Sequence, residues 1–534
     1  MASEREYDVI VIGAGLGGLL AAAQFLRRGR RVVVVERLAH PGGRFTAKTF
    51  QGAQVSTGAV HMLPFGSNGE LAGMLRALGV PHRIHDAEVF ASYHVRGRQY
   101  ACRSLLQLAA VLGPRQFAEL LRLGAPMFLR RPRPDEAALS YQDWLLRRIS
   151  RARSPDLYAF FERMCHFALS VDLADVAYPE VVEVTKNMLR YGAPGVVEGG
   201  CAALTGELER RIVRDGGDLR MQHDVLGILR EHDATDAGDA ARVTGVRVRD
   251  RATGDDLTLL APLVISNIGP DATERLCVGA DGALEAPVAE PMAASAHPWP
   301  RREAIGLKVH LLSDHSVIAH KGIMYCLDTQ RIAGIVQPSN SDRRLAPPGK
   351  HLLITHQLMR PGADVNAERA AARADLRRLF GDDFGTRVTI LTMSQYRGEW
   401  PVNRVAQGAD VAPQTRLAGL YLVGDAVKPS GYLMVEGVAQ SVNALMDAIT
   451  RLDQPMPGDA SGAPAQAING SASGGPHPPA RLAASGLPRK PAAHRALHWL
   501  VAPPPPNRVS AGTSRARDAG PARSADDALP SAVE

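Results

Sequence analysis

Cysteine is scarce and scattered in this chain. Five occur in 534 residues, Cys102, Cys165, Cys201, Cys277 and Cys326, and none forms a C-x-x-C pair. A disulfide framework and a structural zinc are therefore not expected, and a reducing compartment is. Aromatic residues are only 5% of the chain, and the net charge of +7 is spread over its whole length. No basic tract is interleaved with aromatics, so nucleic-acid binding has little support. No uninterrupted apolar run reaches membrane-spanning length, and the polar start MASEREYD has no signal core. A cytoplasmic location is the expectation. Neither G-x-S-x-G nor H-E-x-x-H occurs, so hydrolysis has no motif to rest on. The chain is instead rich in glycine, with 51 residues, and 45% hydrophobic. That is enough apolar material for two domains with full cores.

The glycines matter most between Asp8 and Glu36, DVIVIGAGLGGLLAAAQFLRRGRRVVVVE. Val9 to Ile12 is a short apolar run suited to a strand buried on both faces. Gly13, Gly15 and Gly18 then give G-x-G-x-x-G. The first permits a tight turn. The second lets backbone approach a pyrophosphate, and the third lets the next helix sit close to the strand. That helix is expected from about Leu16 to Arg28, with the amides of Leu16, Gly17 and Gly18 at its N-terminal, anion-attracting end. Val32 to Val35 is a second strand, closed by Glu36. Its carboxylate suits the hydroxyls of an adenosine ribose and repels a 2′-phosphate. The pattern predicts a dinucleotide site.

The following stretch, RLAHPGGRFTAKTF, resembles the R-x-G-G-R-x-x-[ST] signature of FAD enzymes of the monoamine oxidase, protoporphyrinogen oxidase and phytoene desaturase group. Arg37, Gly42, Gly43 and Arg44 carry the likeness. Two departures stand out: Arg37 lies several residues upstream of the glycine pair, and Pro41 precedes it. Far downstream, GLYLVGDAVKPSGYLMVEGVAQSVNALMDAI resembles the same group's closing segment. A strand from Leu420 to Val423 ends in Gly424 and Asp425, which the resemblance places at the ribityl chain and pyrophosphate. A helix starting near Glu436 or Gly437 follows, with Gly437 and Val438 at the end that would face the flavin. A positive helix end there stabilises negative charge on reduced flavin. The segment GVVEGGCAALTGELERRIVRDGG and the strand after it are similar to the double-glycine helix of phytoene desaturases, whose adenine-packing valine falls here on Val225. LVISNIGPD, at Leu263 to Asp271, resembles the strand that returns under the cofactor.

The resemblance implies an α/β fold. Its core is a discontinuous Rossmann-like FAD-binding domain of the glutathione-reductase type, built from residues 1–65, 195–270 and 390–452. An inserted α+β substrate domain with a helical lid occupies 66–194 and 271–389. Helical spacing appears at Leu71 to Leu78, Leu105 to Leu112, Phe117 to Leu123, Tyr141 to Ile149 and Leu157 to Leu169, so the first insertion reads as helical. The second mixes strands at Ala304 to Leu312 and His351 to Leu358 with a helix at Ala367 to Phe380. Residues 454–534 are dominated by Pro, Ala, Ser, Gly and Arg, and read as a disordered tail.

Candidates for the reaction are fewer. Thr57, Gly58, Ala59, Val60 and His61 fall where relatives pass the substrate side of the flavin, with Gly58 and Ala59 at the cofactor. His61 is a proton donor or acceptor beside the ring, or a satisfied structural histidine. Lys308 stands in an apolar strand, AIGLKVHLL. In monoamine oxidases a lysine on a comparable strand holds a water against flavin N5; an edge-strand lysine reaching solvent is the other reading. Trp400 and Tyr432 are candidates to wall the substrate pocket with His61. Leu105 to Arg133, which includes MFLRRPRP, reads either as an element lying on an anionic membrane surface or as lid helices with a solvated basic edge. No second G-x-G-x-x-G follows a strand, so oxygen or a quinone is expected as electron acceptor rather than a nicotinamide.

The reading that follows is an FAD-dependent oxidoreductase moving a hydride between flavin N5 and a C–C bond of a hydrophobic, isoprenoid or polyene, small molecule. An amine or amino-acid oxidase releasing hydrogen peroxide is the alternative. A non-catalytic prenyl-binding protein like the Rab GDP-dissociation inhibitors is a third.

Overall fold

The computed structural model describes residues 4–58, 60–89, 91–231, 241–278, 289–291 and 302–452. Ala59 and the tail expected at 454–534 lie outside the described residues.

The chain begins as its glycine pattern demands. Strand β1 (Val9–Ile12) is buried at all four positions, helix α1 (Leu16–Arg27) follows, and β2 (Val32–Val35) is equally buried. Gly13 takes φ +93, a conformation only glycine adopts without strain, and a Cβ on Gly18 would collide with the Gly13 carbonyl oxygen. The helix can lie on the strand only because Gly18 has no side chain. Beyond these come β3 (Ala53–Ser56), α2 (Glu70–Ala77), β4 (Ala91–Val95) and β5 (Arg98–Cys102). A helical layer follows: α3 (Leu108–Leu129), α4 (Pro155–Met164) and α5 (Tyr178–Tyr191). Next are α6 (Gly200–Arg214), β6 (Asp218–Arg220), β7 (Val264–Ser266) and β8 (Ala289–Pro291). Strands β9 (Ile305–Ser313), β10 (Ile323–Cys326), β11 (Gly334–Val336), β12 (His351–Met359) and β13 (Val388–Tyr396) come before β14 (Val411–Thr415), β15 (Leu420–Leu422) and the long helix α7 (Met434–Leu452).

Two seven-stranded sheets organise these pieces. The first runs β6-β2-β1-β7-β15-β14-β8. Its first five strands are parallel, and β14 and β8 are antiparallel. Helices α1, α6 and α7 bury their apolar faces in one core against it, as a parallel sheet buried on both faces requires. The second sheet runs β13-β9-β12-β11-β10-β4-β5. Its inner face joins the helices α3 to α5 in the largest core, around the stacked rings of Trp144 and Tyr178, 4.2 Å apart. Its outer face packs on the helix Val365–Phe380.

Four expectations need correction. The first insertion is not all helical, since β4 and β5 form a hairpin within it and extend the second sheet. Arg96 and Gly97 at its turn both have positive φ, 53 and 68, the primed turn that matches strand twist. Val388–Tyr396 falls mostly in a stretch assigned to the cofactor domain, yet it pairs with β9 in the second sheet. Ala289–Pro291, assigned to the substrate side, closes the edge of the first sheet. In each case long-range pairing overrides the boundary drawn from motifs. The expected helix from Leu157 to Leu169 is α-helical only to Met164; Cys165–Leu169 is a π-helical turn.

The glycine geometry separates two alanine substitutions. Gly18→Ala should destabilise the protein by more than about 2 kcal/mol, because backbone must move to admit the methyl. Gly73→Ala, in α2 with only Arg76 Nη2 near, at 3.9 Å, should stabilise by about 0.5–1 kcal/mol. Thermal unfolding of the two variants checks this; equal effects would refute the close-packing role of Gly18.

Candidate active site

At the carboxyl ends of β1, β2, β7 and β15 lies a cavity of about 710 Å³. Clefts of this kind in α/β sheets lie where strand order reverses. Here β1 and β7 are neighbours although more than two hundred residues separate them.

The glycine turn floors the cavity, with Gly13, Gly15, Leu16 and Gly17 all on its wall. The Asn267 amide fills the space the glycines leave. A Cβ on Gly15 would come within 2.6 Å of its Nδ2, and Cβ atoms on Gly17 and Gly424 within 2.6 and 2.7 Å of its Oδ1. Three glycines from two distant motifs thus make room for one side chain, which single-motif reading left unassigned. Glu36 is buried; its Oε2 accepts from the Ala14 amide at 2.7 Å and its Oε1 from the Leu38 amide at 2.9 Å. The carboxylate is thereby held at the end of β2, on the cavity wall. Arg37 and Val225 stand on that wall too. Arg37 pairs with Glu399 at 2.8 Å and lies 5.6 Å from the Trp400 ring. Trp400 stands beside Arg37 and is itself on the cavity wall.

Gly43 and Arg44 line the same cavity. Arg44 donates to the carbonyls of Pro401 and Val402 at 3.0 and 2.9 Å, and to Asp425 Oδ1 at 2.6 Å. Oδ2 of Asp425 accepts from the Arg404 amide at 2.7 Å. Burial by itself would raise the Asp425 pKa; the facing Arg44 and Arg404 guanidinium groups outweigh it and hold the carboxyl well below its usual range. Arg404 was not anticipated. Its Nε has no hydrogen-bond partner among the described residues, and burial with the neighbouring Arg44 brings its pKa down to about 10. A half-buried, incompletely satisfied cation on the wall suits an anionic group in the cavity.

Lys308 lies one layer behind the wall. It is on β9, which pairs on both sides with β12 and β13, and its side chain is fully buried. The solvent-reaching reading is thereby excluded. Nζ donates to the Ser56 carbonyl at 2.6 Å, to Ser56 Oγ at 3.0 Å and to the Gly58 carbonyl. It also sits 4.9 Å from the Tyr396 ring, whose hydroxyl donates to the Gly58 carbonyl at 2.6 Å. Burial drives the Lys308 pKa well below its ordinary value; three acceptors and a π face favour the cation in return. Ser56, Gly58 and Tyr396 line the cavity, and Lys308 itself does not.

His61 does not line it either. Its ring nitrogens meet the Gln54 carbonyl at 2.8 Å and the Cys201 amide at 3.3 Å. With both occupied by backbone, the ring braces β3 against the start of α6, and the expected proton-transfer role has no free nitrogen. Burial lowers its pKa to about 4. Gly437 faces the Lys428 side chain rather than the cavity, whereas Val438 is on the wall with Met434 and Val435. Tyr432 packs beside Phe65 and Tyr191 instead of facing substrate space.

A second, smaller cavity of about 40 Å³ adjoins the first through Val60, Met62 and Met434, which line both. Phe167, Met188, Ile323, Tyr325 and Leu433 make its wall apolar, and His356 is its one titratable side chain besides Tyr325. Burial brings His356 down to about 3, so the pocket carries no charge near neutral pH. Among the described residues no cluster of His, Cys, Asp and Glu is placed to hold a metal ion.

The comparisons with known proteins agree with this geometry. The family described as flavin containing amine oxidoreductase matches residues 16–442. An uncharacterized protein of Methanocaldococcus jannaschii is 30% identical over 83% of this chain and 99% of its own length. The crystal structure of an oxidoreductase from Methanosarcina mazei superposes with TM-score 0.71 at 32% identity, covering 83% of this chain and all of that one. Prolycopene isomerase of Daucus carota is 40% identical over a shorter stretch, 14% of this chain and 12% of its own.

Two outcomes test the electrostatics. Asp425→Ala strands Arg44 and should cost about 3 kcal/mol or more, read as a lowered denaturation midpoint; an unchanged midpoint would show the pair to be idle. His61 and His356 have folded pKa values below the ordinary 6.5, so the fold binds fewer protons than the unfolded chain. Their contribution is complete above about pH 6.5 and is lost as pH falls towards about 4 for His61 and about 3 for His356. Denaturation midpoints measured through this window should fall; a flat profile would contradict it.

Proposed function

The chain belongs to the flavin containing amine oxidoreductase family, and on that premise we propose that it exchanges a hydride between its FAD and a C–C bond of a lipophilic molecule of isoprenoid or polyene kind. The observation that carries this reading is the uncharged apolar pocket that shares Val60, Met62 and Met434 with the cofactor cavity. No carboxylate stands in it to meet an ammonium ion, and burial of an apolar body there is worth about 25 cal/mol per Å² removed from water.

The residues fit an FAD. A glycine cradle, a fixed acid at the end of β2, two half-buried arginines and a cavity of about 710 Å³ belong together chemically. Glu36 is the group to receive a ribose, the turn from Gly13 to Gly17 the pyrophosphate, and Val225 the adenine. Arg44 and Asp425 fix the loops on either side, and the N-terminus of α7 brings Val435 and Val438 to the wall. Bound flavin supplies the hydride acceptor and donor. The chain need then bind, orient and exclude water. Lys308 holds the carbonyls of Ser56 and Gly58, so it sets a loop that lines the larger cavity. Oxygen or a quinone is the electron acceptor in this reading.

One observation favours a second substrate class. A buried lysine behind the Ser56–Gly58 loop also suits amine oxidation, by its likeness to the strand lysine of monoamine oxidases. The purified protein should be yellow. Anaerobic bleaching of its flavin by polyenes or isoprenoids, with no response to amines, is the expected result; bleaching by amines alone would overturn the C–C reading. Lys308→Met should lower turnover about 10²-fold or more, and unchanged turnover would refute any part for Lys308.

A further inference from the structure

Helix α3 is apolar on both of its faces. Its inner residues, among them Leu120, Leu123 and Met127, are buried against the helical layer. After a kink at Gly113 its outer residues repeat at helical spacing: Pro114, Ala118, Leu121, Ala125 and Leu129 are all exposed. Leu121 is 46% and Leu129 83% accessible, and Leu106 just before the helix is 64%. A surface helix normally turns polar residues outward. Here only Arg115 and Arg122 accompany an outward stripe that is otherwise apolar.

Charge on this segment is one-sided. From Arg103 to Arg133 it contains Arg103, Arg115, Arg122, Arg130, Arg131 and Arg133, and Glu119 is the one acid. Glu119 is spent inside the fold, accepting from Ser154 Oγ at 2.5 Å and standing 3.7 Å from Arg115. Arg130 is paired with Glu136 at 2.6 Å. Arg115 and Arg122 remain exposed beside the apolar stripe, and Arg131 and Arg133 are exposed at its end. No helix of the described residues is long and apolar enough to cross a membrane.

We propose that the outer face of α3 docks on the surface of an anionic lipid bilayer. The stripe would sink its leucines to the level of the acyl boundary while the arginines meet lipid phosphates, the arrangement of an interfacial amphipathic helix. Charge complementarity selects this occupant over a second copy of the chain, because two such faces would bring like charges together. The location also fits. Helix α3 packs on α4 and α5; Met188 of α5 and Phe167, in the turn after α4, line the apolar pocket. The docking face therefore lies one helical layer from that pocket. The inference stands on α3 alone and survives whichever substrate class proves correct.

Flotation of the full-length holoenzyme with vesicles tests it. Binding is expected to vesicles of phosphatidylcholine mixed with phosphatidylglycerol, to fade at high salt, and to be absent with phosphatidylcholine alone. Leu121→Asp with Leu129→Asp should abolish flotation. Arg115→Glu with Arg122→Glu should weaken it roughly fivefold or more per residue. Flavin absorbance and melting temperature report that each variant is folded, and the charge variant decides the matter should the leucine variant fail that check. Failure to float with anionic vesicles, equal binding to neutral ones, or retention by the charge variant would each overturn the proposal. So would a dimer in sedimentation that the leucine substitutions dissociate.

Discussion

The ion pair between Arg44 and Asp425 holds the cofactor cavity together. The two residues are 381 positions apart, yet each ends a loop that leaves the first sheet. Arg44 also draws in the carbonyls of Pro401 and Val402, and Asp425 the amide of Arg404. Three separate stretches of chain are thus tied at one point. Because the pair is largely buried, each charge has the other as its chief compensation, and the loops stay put as a set.

A second constraint acts from behind the wall. Lys308 points from the inner face of the second sheet towards the loop after β3, and Tyr396 and the Ser56 and Gly58 carbonyls close round it. The larger cavity belongs mainly to the first sheet and the smaller to the second. The lysine ties the second sheet to the wall of the larger cavity. A buried amine is costly unless every hydrogen is used. That cost makes the loop geometry specific, and explains how one sheet fixes a feature of a cavity built on the other.

Much of this was legible in the chain. The run of four valines at Val32 to Val35, the glycine turn and Glu36 describe β2 and its surroundings almost to the residue, because the interactions are local and each glycine has a steric reason. Gly424 and Asp425 were legible as a motif, although what Asp425 grips was not. The hairpin of β4 and β5 escaped because its strands are stabilised by neighbours from residues 323–326. His61 misled for a similar reason: a histidine beside a cofactor motif has the right chemistry, but its nitrogens go to backbone groups that only folding brings near. Tyr432 went to packing with Phe65 and Tyr191 by the same logic, whereas Trp400 does reach the cavity wall, beside Arg37.

What the sequence alone determined is the local machinery: strand, turn, helix and acid at one end, strand and Gly-Asp at the other, and a composition with few, scattered cysteines. Those features depend on residues within a few turns of each other, where backbone sterics and hydrophobic periodicity decide. The tertiary structure decided which side chains face space and which face each other. It placed Asn267 among three glycines, left Arg404 incompletely satisfied on the wall, buried Lys308 and turned leucines of α3 outward. Burial and pairing are properties of contacts between segments hundreds of residues apart, and no periodicity within one segment encodes them.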